Sequence, residues 1–388
     1  MYQLIYLDHA ATSIPRCEAA ITAASSAVNL GNAGRGMYDS ATAASKIIAK
    51  ARFAIAEGGG FRIASLVGTT NRHTVCFLAN TTAALNQAIL GIRPIPRSVA
   101  IDPLAHNATY RPLELLCRNQ GTQSWILPHE STGKVDVEKL KNSWVKNTDV
   151  VIITHASNVN GTIQPVEEII EIAHELGAIV IVDAAQTVGV IDISTLAAAD
   201  LIAFSAHKGL RGLPGVAALL VSAGIELEPL IYGGTGGNSA SEFMPDELPE
   251  RLEAGTANLS AIASFLASCE NYINSKHNYQ IISFDLASAI ESAGGKLLPR
   301  DNFNSVPVVS FTLPEIPLWE AADILEQSCG LQLRAGLHCA TIAHRTLSSF
   351  PEGALRISAG YMTRPEDLNY IFQSINSTVK SYRILGHA

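Results

Sequence analysis

The chain has 388 residues, 47% of them hydrophobic and 16% charged, which is enough apolar material for one large core and a smaller one. A formal net charge of −8 with a pI near 5.8, and no run of like charge, excludes the basic face of a nucleic-acid binder. No apolar run is long enough to span a membrane and the opening "MYQLIYLDHAATSIP" lacks the basic and apolar regions of a secretory signal, so a cytoplasmic protein is expected.

Short apolar runs rich in β-branched residues alternate with helical patterns through most of the chain. "HTVCFLA" (73–79) reads as a strand and leads into "TTAALNQAILGI" (81–92), a helix opening on two threonines. "SVAID" (98–102) precedes a helical "NATYRPLELLCRNQG", and "QSWIL" follows it. Next come "DVVIITH" (149–155), the helix "PVEEIIEIAHELG" (165–177), "AIVIVDA" (178–184), "DLIAFS" (200–205) and "GVAALLV" (215–221). Strands apolar along their whole length and separated by helices predict a mostly parallel sheet covered on both faces. After Val221 a glycine- and serine-rich "YGGTGGNSASEF" (232–243) is too long for a plain turn, which points to function or mobility. Beyond about residue 260 a long helix, "VPVVSFTL" (306–313), a helix at 318–329, "GLQLRAG", "GALRISAG" and a final helix near 365–380 predict a smaller α/β domain.

Six cysteines without paired short spacing read neither as a disulfide framework nor as a structural zinc site. Cys76 lies in a strand-like run, and Cys17, Cys117, Cys269 and Cys329 lie in or near helix-like segments, where core or surface thiols are expected. Cys339, in "LRAGLHCATIAH" (333–344), sits between a basic, glycine-bearing turn and two histidines. Taken alone it is open to three roles: nucleophile, metal ligand or core thiol. The spacing of His338, Cys339 and His344 is unlike common zinc sites, and no metal is expected.

Ligands of α/β sheets gather at the carboxyl ends of the strands. Here "IVIVDAAQTVG" ends on Asp183, and "LIAFSAHKGLRGLPG" ends on Ser205, His207 and Lys208. A strand-end aspartate is most often a turn or cap residue, and a lysine is most often solvated. Together they fit pyridoxal 5′-phosphate, which needs a lysine for a Schiff base and a carboxylate to keep its pyridine nitrogen protonated. Its phosphate needs hydroxyls and N–H groups at a helix start, which Thr81 and Thr82 of "NTTAALN" supply, with Ser205 and His207 completing the cup.

The chain resembles the class V aminotransferase family, in its cysteine desulfurase/selenocysteine lyase branch. The resemblance rests on "YLDHAATSIP", "GNAGRGMYDSA", "NTTAALN", "AHNATYRPL", "THASNVNGTIQPVEEI", "VDAAQTVG", "FSAHKGLRGLPG", "RLEAGTAN", "LRAGLHCA" and "LRISAGYMT", in that order over essentially the whole chain. It implies the fold type I of these transferases, with a mostly parallel seven-stranded sheet in a large domain over 16–258 and a small domain from 1–15 and 259–388. It further implies a homodimer.

By the same resemblance Lys208 is the Schiff-base lysine, Asp183 the pyridinium partner and Gln186 the partner of the phenolic oxygen. His106 stacks on the ring and assists proton transfer. Thr82, Ser205 and His207 hold the phosphate, with Thr256 reaching it from the neighbouring subunit. Asn158 and Arg356 bind the substrate carboxylate, with Asn158 also beside the cofactor, and Asn32 and Arg35 line the substrate side. Cys339 takes sulfur as a persulfide, its thiolate favoured by Arg334 and His338, and Arg334 is also counted with the substrate-binding set. The implied reaction turns L-cysteine into L-alanine and a persulfide, with a sulfur-acceptor protein as partner. Selenocysteine lyase, another C–S lyase, an aminotransferase and a non-catalytic scaffold are the alternatives.

Two positions depart from the family pattern. Ala83 and Ala105 stand where glutamates are usual, which bears on substrate preference and rate.

Overall fold

The computed structural model describes residues 4–34, 36–56, 73–236, 240–273 and 279–384, together with Gly386. After a two-residue strand β1 (Ile5–Tyr6) come α1 (Glu18–Ala27) and α2 (Asp39–Ala56). Both bury small residues, Ala20, Ala24 and Ala27 on one and Ala41, Ala44 and Ala51 on the other, which lets backbones approach closely. The alternating region then runs β2 (His73–Leu78), α3 (Thr81–Gly91), β3 (Ile92–Arg93), β4 (Ser98–Ile101), α4 (Asn107–Gln120), β5 (Gln123–Ile126) and α5 (Val137–Ser143). It continues with β6 (Val150–Thr154), α6 (Val166–Glu175), β7 (Ile179–Asp183), β8 (Leu201–Ser205) and β9 (Ala217–Ser222).

Seven of these strands form one sheet in the order β2-β9-β8-β7-β6-β4-β5. Pairing is parallel from β8 through β5, and β9 alone runs against the rest. Alternation along each strand divides the side chains between two cores. Val151 and Ile153 of β6, Val180 and Val182 of β7, and Ile202 and Phe204 of β8 face one layer. Val150, Ile152, Ile181, Leu201 and Ala203 face the other. Each such aliphatic side chain stabilises the fold by about 1.5–3 kcal/mol, and burial on both faces is why the strands read as unbroken apolar runs.

The chain continues with β10 (Glu226–Leu227), α7 (Leu259–Ile273), α8 (Tyr279–Ser292), β11 (Lys296–Leu297), β12 (Val308–Thr312) and α9 (Leu318–Cys329). It closes with β13 (Leu331–Gln332), β14 (Arg334–Gly336), α10 (Thr341–Thr346), β15 (Ala354–Ser358) and α11 (Pro365–Ile384). An antiparallel sheet β11-β12-β15-β14 forms the second unit, and β1 pairs with β13 beside it. Leu286, Ile290, Phe311, Leu325, Ile357 and Ile375 build a separate core there.

One boundary differs from the sequence expectation of a small domain starting at 259. α7 packs on α1 and α2, and its Ala261, Ile262, Phe265 and Cys269 lie in the large core. Its apolar stripe finds the alanine faces of the N-terminal helices, so it belongs with the large unit. Among the described residues no helix is long and apolar enough to cross a membrane.

Candidate active site

The carboxyl ends of five strands open on one cavity of about 170 Å³. Asn80, Thr81 and Thr82 follow β2, and His106 follows β4. Thr154 and Asn158 come from the end of β6, Asp183 and Gln186 from β7, and His207 and Lys208 from β8. This is where a parallel sheet collects ligands.

Asp183 is buried and Lys208 half-buried, and they attract across this space without forming a direct ion pair. Burial pushes the Lys208 ammonium down from its ordinary range, with Asp183 opposing and Arg356 and Arg334 reinforcing the shift. Burial likewise pushes the Asp183 carboxyl up, while Lys208 and the Ala185 N–H, which donates to Asp183 Oδ1 at 3.0 Å, hold it down. A lysine shifted toward its neutral amine is a nucleophile, and one facing a carboxylate has its own counter-charge.

His106 is the N-cap of α4, and its ring Nδ1 accepts the Ala108 N–H at 3.0 Å. Burial, followed by Lys208, Arg356 and Arg334, lowers it to about 3. The ring is therefore neutral, with its hydrogen on Nε2. Gln186 donates from Nε2 to the Ala10 carbonyl at 3.0 Å, which fixes the amide against the cavity wall.

The start of α3 forms the cup. Asn80 caps it by accepting the Ala83 N–H at 2.9 Å, which leaves the first N–H groups of the helix for an anion. Thr81 Oγ1 and Ser205 Oγ are buried without a hydrogen-bond partner, and so is Asn158 Oδ1. Three orphaned polar atoms at and around one cavity call for a polar occupant, because each otherwise costs about 1–3 kcal/mol. A lysine, a carboxylate and an anion cup at a helix start fit pyridoxal 5′-phosphate.

Cys339 is the exposed one of the six cysteines; Cys17, Cys76 and Cys269 are buried, and burial pushes the thiols of Cys76 and Cys269 up. It sits on the turn before α10, with His338 and Cys339 at φ of +50° and +57°. Two contacts hold this turn against the cavity wall. Asn107 N–H donates to the Cys339 carbonyl at 2.8 Å, and Asn158 Nδ2 donates to the His338 carbonyl at 2.7 Å. Arg334 Nη2 lies 3.9 Å from Cys339 Sγ.

The expectation that His338 also favours the thiolate is corrected by its placement. Its ring is buried against His344, 5.3 Å between centroids, and burial followed by Arg356 lowers it to about 2. A neutral, inward ring supplies no positive charge to the sulfur; Arg334 in contact with it and Arg356 further off do so.

Arg356, fully buried on β15, donates through Nη1 to the Asn158 carbonyl at 3.0 Å and pairs through Nη2 with Asp8. Its Nε is buried without a partner. Two expected residues lie apart from the cavity of this chain. Asn32 is exposed, its Oδ1 accepting the Gly34 N–H at 3.1 Å, and Thr256 is exposed in the turn before α7. Arg35 falls outside the described residues. Sequence reasoning missed Asn80, Thr154 and Asp8. The capping asparagine before "TTAALN" was the available signal for the first. Asp8 and Thr154 carry no signal without the contacts they make.

Fold and site together define an α/β enzyme built around a half-buried lysine that faces a carboxylate and an anion cup. Residues 5–371 match the family described as Aminotransferase class-V, and the chain belongs to that family. A protein from Methanothermobacter thermautotrophicus named probable cysteine desulfurase is 30% identical, with 89% of this chain and 86% of that protein aligned. One of the same name from Haemophilus influenzae is 29% identical, over 97% of this chain and 86% of the relative. In fold, the apo structure of a cysteine desulfurase from Thermococcus onnurineus superposes with a TM-score of 0.84 at 24% identity, covering 97% of this chain and 95% of that one.

Proposed function

We propose that the chain is a pyridoxal-phosphate-dependent cysteine desulfurase that converts L-cysteine to L-alanine and leaves the sulfur as a persulfide on Cys339. The observation that carries this reading is the placement of Cys339: an exposed thiol beside a guanidinium, on a turn tied to the wall of the lysine cavity. The relatives' names point the same way.

In this reading Lys208 would hold the cofactor through Nζ, with Asp183 as the partner of its pyridine nitrogen. Gln186 would bind the phenolic oxygen and His106 would support the ring. Thr81, Thr82, Ser205 and His207 hold the phosphate, with Asn158 at the cofactor's edge. The exposed Thr256 serves the cavity of a second copy, which makes the enzyme a homodimer. When bound, the group supplies an aldehyde for amines and a ring that accepts electron density from the substrate.

The chain's own residues do the rest. Burial shifts Lys208 Nζ toward its neutral form, which suits this amine to take the proton from the substrate Cα. Arg356 Nε, the buried donor left without a partner, binds the substrate carboxylate, with Asn158 beside it and Asn32 and Arg35 on the approach. Arg334 Nη2 faces Cys339 Sγ at 3.9 Å. That sulfur attacks the substrate sulfur: an S–S bond forms, the substrate C–S bond breaks, and its electron pair stays on carbon. Protonation there, and return of a proton to Cα, gives alanine. A sulfur-acceptor protein then removes the outer sulfur at the exposed turn, in a cytoplasmic setting where thiols stay reduced.

Mass analysis of the Cys339 peptide after incubation with L-cysteine tests this. A persulfide on Cys339 with matching alanine is expected, along with the yellow colour of a lysine-bound cofactor. Alanine formed at the wild-type rate by Cys339→Ala, or formed only from selenocysteine, would overturn the desulfurase reading.

A further inference from the structure

Thr12 and Arg16 lie between β1 and α1, outside the residues that line the cavity, yet their polar atoms converge on His207, which does line it. The His207 carbonyl accepts the Ser13 N–H at 2.9 Å and Arg16 Nη1 at 2.8 Å, which uses both of its lone pairs. Arg16 Nη2 donates to Thr12 Oγ1 at 2.8 Å. A guanidinium has no acceptor, so the hydroxyl hydrogen of Thr12 must point elsewhere. Two acceptors stand within reach: His207 Nδ1 at 2.9 Å and the doubly occupied His207 carbonyl at 3.3 Å. The hydroxyl therefore donates to Nδ1.

A neutral imidazole carries one ring hydrogen, and with Nδ1 accepting, that hydrogen is on Nε2. His207 is neutral at physiological pH, since burial, followed by Lys208 and Arg16, lowers it to about 4. The opposite tautomer would turn a lone pair toward an anion and repel it. His106 reaches the same Nε2–H state through one local contact, the Ala108 N–H, whereas His207 depends on two side chains from a distant segment.

We propose that Arg16 and Thr12 form a positioning relay that fixes His207 as an Nε2–H donor toward the cavity, and that this polarity allows an uncharged histidine to hold the cofactor phosphate. The proposal rests on the reading of the cavity as a pyridoxal-phosphate site, and its test separates the two.

Long-range 1H–15N spectra of the full chain, labelled at histidine and stripped of cofactor, report the tautomer directly, with His207→Gln assigning the signal. Nε2–H is expected in the wild type, with loss of that preference in Thr12→Val and its return in Thr12→Ser. Arg16→Met, which keeps the hydroxyl but frees its orientation, should also mix the tautomers, and it serves where Thr12→Val does not fold. An Nδ1–H ring in the wild type, or a ring unchanged in both variants, overturns the relay. Affinity supplies the second readout. Thr12→Val should weaken pyridoxal 5′-phosphate by about tenfold while changing pyridoxal, which lacks the phosphate, much less. Equal losses for the two overturn the phosphate role. A wild type that binds neither, but shows the expected tautomer, overturns the functional reading and the phosphate role together, and leaves the relay standing.

Discussion

Arg356 is the largest fully buried side chain of the described residues, and its charge is met by Asp8 and one backbone carbonyl. A buried charge that loses its partner costs far more than an exposed pair is worth. Asp8→Ala should therefore lower stability by about 3 kcal/mol in urea unfolding, and a loss below about 1 kcal/mol would mean that water reaches the guanidinium. Arg334 is different, because it is half-exposed and its work is on a sulfur 3.9 Å away. At that range in a water-like medium a unit charge is worth about 1 kcal/mol, or about fivefold in rate. Arg334→Gln should slow persulfide formation on Cys339 by that factor while leaving the bound-cofactor absorbance unchanged. A parallel loss of absorbance would place Arg334 in cofactor binding instead.

Phe265 shows how much of an element's placement lies outside its own sequence. It sits on α7 between Phe204, 5.8 Å away edge-on, and Phe77 at 6.3 Å, fully buried. Phe265→Ala should cost about 3–5 kcal/mol and disorder the large unit before the small one, as hydrogen exchange would show. Equal loss of protection in both units would mean that α7 joins them. The strands of the large sheet are legible in sequence because both faces are covered, so each strand reads as a continuous apolar run. The cup is legible because two threonines open a helix directly after such a strand. The side α7 takes is not, since the helices it packs on, α1 and α2, lie more than two hundred residues earlier and bury mostly alanines. The inward turn of His338 is hidden for a related reason. Two consecutive non-glycine residues at positive φ are uncommon, and they persist here because Asn107 and Asn158 hold their carbonyls.

Among the described residues six histidines are held neutral, His9, His155, His338 and His344 buried and His106 and His207 half-buried. Burial lowers His9, His155, His207 and His344 to about 4, His106 to about 3 and His338 to about 2. In the unfolded chain they titrate near 6.5. Below that pH the unfolded state takes up protons that the folded state refuses, so stability is complete above about pH 7 and falls as the pH drops toward the folded values. Asp102, fully buried and raised to about 6, acts in the opposite sense, since the folded state takes up its proton first. Asp183, also pushed up by burial, acts in the same sense, and two carboxyls cannot offset six rings. Between pH 7.5 and 5.5 each histidine should remove about 1 kcal/mol, a sum comparable to the whole stability of a typical domain. Carboxylates held below their usual range, such as Asp149 beside Arg97 and Glu315 beside Arg383, stay ionised in this window and contribute nothing to the change. The urea midpoint should therefore fall steeply between these two pH values, and a flat or rising midpoint would show that water already reaches the rings. Since neither His106 nor His207 gains a proton in that interval, an acid limb of activity there should follow the unfolding curve, and one that precedes it would have to come from another group.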